Sequence, residues 1–262
     1  MIDGKSQLER RHVLYCDLLG FSNYTLSEFF DAEKCFRLFR QLDRMVADAN
    51  VEIDSSVPDA LTGRLPDYVV KPEAIYFSDA IVISTPPTNV DAIWLCQAAA
   101  MIQNQICRHG FLIRGSIITG EIYQTGNTIF GPAVAKAVAL EKSGIPPVVV
   151  VAEETLKYFR HSTSDEDREI VKIREHQLIA HEDSILPFVD PFWLSKIHTN
   201  QPSLHEQTRE NIECWRRVIE RGLRHSDASV RLKYSWIARR FNSSLAGKAS
   251  EISPIVLRNE ED

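Results

Sequence analysis

Two short stretches carry an acidic residue where an apolar run breaks off. In "VLYCDLLGFS", residues 13–22, Asp17 stands near the end of a strand-like run, shortly before Gly20. In "AIYFSDAIVIS", residues 74–84, Asp79 sits at the bend between two β-rich runs, which reads as a hairpin with a carboxylate at its tip. Each has an ordinary reading, since Asp commonly caps a helix or bonds its own backbone in a tight turn. As a pair far apart in sequence, they can meet only through the fold. A divalent cation that carries phosphate needs such a pair of hard oxygen ligands, so the chemistry to look for is chemistry at a phosphate.

Periodicity gives the elements that would position them. The strand holding Asp17 is followed by a helix within residues 31–50, opened by Asp31, with Cys35, Leu38, Leu42 and Met45 at steps of three and four. Residues 52–72 mix turn formers with short apolar pieces and read as a surface excursion. After the hairpin, a helix from near Asp91 to Gly110 presents Leu95, Ala98, Ile102 and Ile106 to a core. Two strand-like runs around Gly120 and Gly126, a helix from Pro132 to Gly144 and the run "PVVVVAEET" follow. This order predicts an α+β fold, a ferredoxin-like βαββαβ sheet with additions and with one face covered by helices.

Past Ser162 the character changes to a charged turn, "SDEDRE", and a proline-punctuated stretch without regular period, which predicts a connector over residues 161–204. Two amphipathic helices, bearing Ile212, Trp215 and Ile219 and then Val230, Ile237 and Phe241, form a helical extension over residues 205–243, with a tail at 244–262. Their polar faces hold many arginines, among them Arg209, Arg216, Arg221 and Arg240; these either meet a phosphate-rich partner or, as is commoner, solvate the helices.

The chain has 262 residues, 44% of them apolar and 25% charged, enough for one substantial core plus an appendage. A net charge of -6 argues against broad nucleic-acid binding, and no direct nucleic-acid partner is expected. The start, "MIDGKSQLERR", lacks an apolar signal core and no window approaches a membrane span, which predicts a cytoplasmic protein without membrane contact. The five cysteines are scattered and without CxxC spacing, so neither a disulfide framework nor a zinc site is indicated.

Three segments, "YCDLLGFS", "FSDAIVIS" and "LIRGSIITGEIYQTGNTIFGPAVAKAVALEKSG", together resemble the signature segments of the class III nucleotidyl cyclases, in order and over about residues 11 to 160. The resemblance implies a palm-like catalytic domain at residues 1–160. In cyclisation the 3′-oxygen of a nucleoside triphosphate moves onto the α-phosphorus and pyrophosphate leaves, chemistry served by two divalent ions, Mg2+ or Mn2+. Asp17 and Asp79 would be their ligands together with the carbonyl of Leu18, and the turn at Gly20, Phe21 and Ser22 would hold phosphate oxygens.

The departures from that family are informative. Ile75 and Thr128 occupy the positions where purine cyclases carry polar or charged base readers. Ala135 and Ala139 replace the family's transition-state Asn and Arg, which leaves Arg114, Lys136 and Lys142 as substitutes. Arg114 ranks first as a catalytic residue, with an ordinary ion pair as its other reading. A cyclase-like chain with both carboxylates and no purine readers most resembles the pyrimidine cyclases of bacterial antiphage signalling, known as Pycsar. That resemblance implies UTP converted to cyclic UMP, or CTP to cyclic CMP, a head-to-tail homodimer with shared active sites, and a separate effector activated by the product. The alternatives are an adenylyl or guanylyl cyclase with unusual base readers, and a nucleotide-sensing dimer on a catalytically dead fold.

Overall fold

The computed structural model describes residues 7–48, 72–143, 146–160, 172–173, 175–183, 185–193, 202–245 and 253–257. The surface excursion expected at 52–72, but for its last residue, the "SDEDRE" turn and most of the tail lie outside the described residues.

Strand β1 (Glu9–Leu19) sits at the centre, and its alternation divides the molecule. Leu14, Cys16 and Leu18 enter one apolar cluster, and Val13 and Tyr15 enter another on the opposite face. Around β1 lie β2 (Glu73–Phe77), β3 (Ala80–Thr85) and β4 (Leu112–Thr125). Their order β2-β3-β1-β4, antiparallel throughout, is the ferredoxin-like arrangement the sequence predicted. β5 (Thr128–Phe130) folds back on the end of β4 through a turn with Gly126 at a φ of 55°. β6 (Val149–Val151) runs parallel to β4 on its other side.

One helix-covered face was expected; both faces are covered. On the first, α2 (Ala32–Asp48), α3 (Asn89–Arg108) and α5 (Glu153–Arg160) share one cluster with Leu14 and Ile117. Thr88 caps α3, its hydroxyl accepting from the Asp91 amide at 3.2 Å, and Gly110, with a φ of 85°, turns the chain away after the helix. On the second face, α4 (Pro132–Lys142) lies over β1 and β4 through Ala133 and Ala137, small residues that let helix and sheet approach closely. Beside it lie α6 (Pro202–Leu223) and α7 (Ala228–Leu245), the expected helical extension. They share a core with the sheet, where Trp215, Ile219 and Phe241 meet Val148, Val150 and Phe188, and the Trp215 indole donates to Asn104 Oδ1 at 2.8 Å. Residues 253–257 of the expected tail return to α7, whose Asn242 side chain makes both backbone hydrogen bonds of Ile255.

A second difference falls in the expected connector. β7 (Ile179–Glu182) and β8 (Ile185–Val189) pair antiparallel and join the sheet at β6. Pro187 obscured the pair, because proline in a run argues against an inner strand. Here β8 pairs with β6 through Phe188 and Val189, and the β7 register shifts between Ala180 and Glu182, so Pro187 falls outside the paired positions.

Several arginines of the last two helices hold partners within the chain. Arg240 holds Asp190 at 2.5 Å, Arg216 and Arg209 pair with the glutamates one turn on, and Arg221 donates to the Gly110 carbonyl. All five cysteines are free thiols. Among the described residues, no helix is long and apolar enough to cross a membrane.

His12, fully buried on β1, sets up a short polar chain. Its Nε2–H donates to the Thr88 carbonyl at 2.9 Å, which leaves Nδ1 to accept from the Thr119 hydroxyl at 2.7 Å. Burial pushes its imidazole down to about 4.

Candidate active site

Asp17 and Asp79 meet at one end of the central strands. Asp17 is opposite Ala80 of β3, and the two-residue turn Ser78-Asp79 joins β3 to β2. Ser78 takes a φ of 55°, the left-handed geometry that so tight a hairpin asks of a turn residue. The Leu18 amide donates to the Asp79 carbonyl at 3.1 Å, which fastens the hairpin tip to the end of β1. From the far side, the Ser22 hydroxyl donates to Asp79 Oδ2 at 3.0 Å.

The turn after β1 brings Ser22 there. Gly20 adopts a φ of 79° with open space where a Cβ would stand, so conformation and not crowding calls for glycine. It leads into α1 (Phe21–Thr25), whose Phe21 ring packs against Phe39 and Phe111 at centroid distances of 6.2 and 5.6 Å. The side chains of Phe21 and Leu18 are therefore core, and only their backbones face the carboxylates' end of the sheet.

Asp17 is half-buried, and its electrostatics are strained. Burial first, then the Asp79 and Glu141 carboxylates, push its acid up to about 6, against the opposing pull of Arg114. The Tyr15 phenol, one row back on the same face, is raised by burial and next by Asp17. Crowded negative charge of this kind is relieved by a cation. The donors are two carboxylates, and among the described residues no group of three or more His, Cys, Asp and Glu gathers to hold a metal. An all-oxygen pair fits Mg2+ or Mn2+, because such ions take one or two carboxylates and keep water and phosphate oxygens as their other ligands.

Arg114 lies directly opposite Asp17 on β4. Its guanidinium nevertheless pairs with Glu141, a buried carboxylate in the last turn of α4, so the ion-pair reading of Arg114 describes its present contact. Glu141 was not singled out from the sequence. Its signal was there: Ala133, Ala137 and Glu141 recur at steps of four, so the inward stripe of α4 ends in a carboxylate. Ala135, Lys136, Ala139 and Lys142 lie on the exposed side of that helix.

Ile75, half-buried on β2, shares the sheet face of Asp17. It is opposite Val82, which is opposite Tyr15, one row from the line Phe77–Ala80–Asp17–Arg114. Thr128 stands apart. It pairs with Thr125, the last residue of β4, whereas Arg114 is the third, so one strand separates Thr128 from the carboxylates. The fold thus brings together Asp17, Asp79, Ser22 and Arg114, sets Ile75 two strands from Asp17 on the same sheet face, and leaves Thr128 exposed at the far tip.

No protein-family model matches the chain, and no curated protein matches it. Among solved structures, it aligns with a class III adenylyl cyclase-like ATP-binding protein from Pseudomonas aeruginosa at 11% identity and a TM-score of 0.37, over 66% of this chain and 43% of that one. It aligns with an adenylate/guanylate cyclase/hydrolase from Silicibacter pomeroyi at 17% identity and a TM-score of 0.38, over 70% of this chain and 95% of that one. The chain thus spans less than half the length of the first of these.

Proposed function

We propose that the protein is a pyrimidine nucleotidyl cyclase, converting UTP to 3′,5′-cyclic UMP and pyrophosphate, with CTP to cyclic CMP as the nearest alternative. The observation that carries the reading is the Asp17–Asp79 pair, held at the ends of adjacent strands by the Leu18–Asp79 backbone bond, with Asp17 strained toward its neutral form. Asp17 and Asp79, with the Leu18 carbonyl, would hold Mg2+ or Mn2+, which when bound supplies the positive charge that activates the attacking 3′-hydroxyl and screens the leaving pyrophosphate. Ser22 fixes the orientation of the Asp79 carboxylate. The Gly20, Phe21 and Ser22 backbone at the same end offers amides to phosphate oxygens. Arg114 brings a guanidinium to the same sheet row.

The base is read by what is missing. Ile75 supplies an apolar, branched wall where a purine edge needs a charged partner, and Thr128 can donate or accept at a pyrimidine carbonyl edge. Thr128 on β5 and Asp17 on β1 pair with opposite ends of β4, so in this reading a site that uses both draws them from the two chains of a homodimer. In this reading the product is a messenger for a separate effector in antiphage signalling.

A second reading, a nucleotide-sensing dimer without turnover, is favoured by Arg114 being engaged with Glu141 and by alanines at 135 and 139. One experiment separates them: the four nucleoside triphosphates supplied equally with Mn2+, with products resolved by chromatography. Cyclic UMP should dominate, with cyclic CMP second. Cyclic AMP or cyclic GMP without a pyrimidine product overturns the pyrimidine assignment, and binding without pyrophosphate release selects the sensor.

A further inference from the structure

Arg114 and Asp17 face each other across β1 and β4, in register and on one side of the sheet. Cross-strand neighbours lie about 5 Å apart at Cβ, and opposite charges so placed attract. An arginine there is poised to close on Asp17. It closes instead on Glu141, whose side chain is 4% exposed, against 18% for that of Arg114. The helix that delivers Glu141 is itself fixed: the Ser116 hydroxyl donates to the Ala137 carbonyl at 3.2 Å, and Ala133 sits where a Cβ on Gly120 would come within 3.1 Å. Glu141 is thus aimed by packed structure one helical turn from that anchor.

We propose that Glu141 is a positioning residue that holds the Arg114 guanidinium off Asp17, leaving Asp17 free to take a divalent cation. The inference rests on the reading of Asp17 and Asp79 as metal ligands. The register alone sets Arg114 beside Asp17, so the cation that would compete for that carboxylate is its direct cross-strand neighbour. A guanidinium bonded to Asp17 would occupy the lone pairs a metal needs, and the metal would first have to displace it. With Glu141 in place, Arg114 keeps its charge in the same sheet row without touching the ligand.

The test is Mn2+ binding to the full chain by titration calorimetry, without nucleotide. Glu141→Gln should weaken Mn2+ binding about tenfold or more, the loss typical when a group orienting a metal ligand is removed. Arg114→Met added to Glu141→Gln should restore affinity to within about threefold of wild type, because the competitor is then gone. A Glu141 that merely supports the fold gives a loss that removing Arg114 does not repair. If Glu141→Gln does not fold, Glu141→Asp, which shortens the reach by one methylene, carries the same comparison. Unchanged Mn2+ affinity in the folded single variant, or no recovery in the double variant, overturns the inference. Absence of Mn2+ binding by the wild-type chain overturns the metal reading itself, and with it this proposal.

Discussion

Asp17→Asn should make the metal-free protein more stable while it destroys the site. In the folded chain the Asp17 acid is raised from 3.8 to about 6, by burial and then by Asp79 and Glu141. A gap of that size corresponds to about 3 kcal/mol at about 1.4 kcal/mol per tenfold. The side chain is half-buried, and solvent screening reduces the effect to about 1 to 2 kcal/mol. The sign follows from the direction. A carboxyl whose folded value lies above its unfolded one carries no penalty while it is protonated in both states, below 3.8, and the full penalty above about 6. The asparagine variant, neutral throughout, should gain on wild type across that interval and hold a constant lead above it. Urea unfolding with a chelator present, at pH about 7.5 and pH about 3.5, measures the lead and its disappearance. Mn2+ should reverse the order, since it stabilises only the chain that binds it, by about 2.7 kcal/mol at a hundredfold excess over Kd. A variant less stable than wild type near neutrality, or a lead that ignores pH, refutes the picture of a strained carboxylate.

Three further outcomes follow from the same geometry. Mixing Asp17→Ala chains with Thr128→Arg chains should recover up to about a quarter of wild-type turnover, because half the dimers are then mixed and each keeps one intact site of two; no recovery despite proven subunit exchange counts against shared sites. Ile75→Lys combined with Thr128→Asp should lower pyrimidine cyclisation by roughly tenfold or more, read by product chromatography; undiminished cyclic UMP removes both residues from base reading. Burial lowers the His12 imidazole from 6.5 to about 4, so its contribution is present above 6.5 and lost as the pH falls through about 4. That loss is about 3 kcal/mol, and unfolding curves of His12→Gln should lack it.

The central sheet was legible because its elements obey simple periods. The alternation in "VLYCDLL", the apolar runs around Asp79 and the threefold and fourfold steps from Leu95 to Ile106 each match the element found, and the strand order follows from their sequence. The β7–β8 pair was not legible, since its strands are short and Pro187 interrupts the second; only the register shift explains how proline is tolerated. The second covered face was hidden for a different reason. The stripe of α4 against the sheet is mostly alanine, which carries little hydropathy and so gives little periodic signal. Asp17 and Asp79 were visible as types in context, but Glu141 was not, because its effect depends on where α4 ends relative to β4, a tertiary fact. The separation of Thr128 from the carboxylates is likewise a matter of strand length, which the register reveals and the motif does not.

The β7–β8 pair also bears on how the protein avoids sticking to itself. β6 is three valines, all with no exposed surface, and β8 lies along the side that β4 does not cover. A chain stopped at residue 160 would end with that side bare, a row of unpaired amides and carbonyls flanked by valine, and with the sheet face beneath α6 and α7 stripped as well. Unpaired, apolar strand borders recruit other strands, so such a fragment would grow into aggregates instead of behaving as a minimal catalytic unit. The later residues thus move the border of the sheet from the buried valines of β6 to the short strand β7, where His181 is exposed and Glu182 is charged.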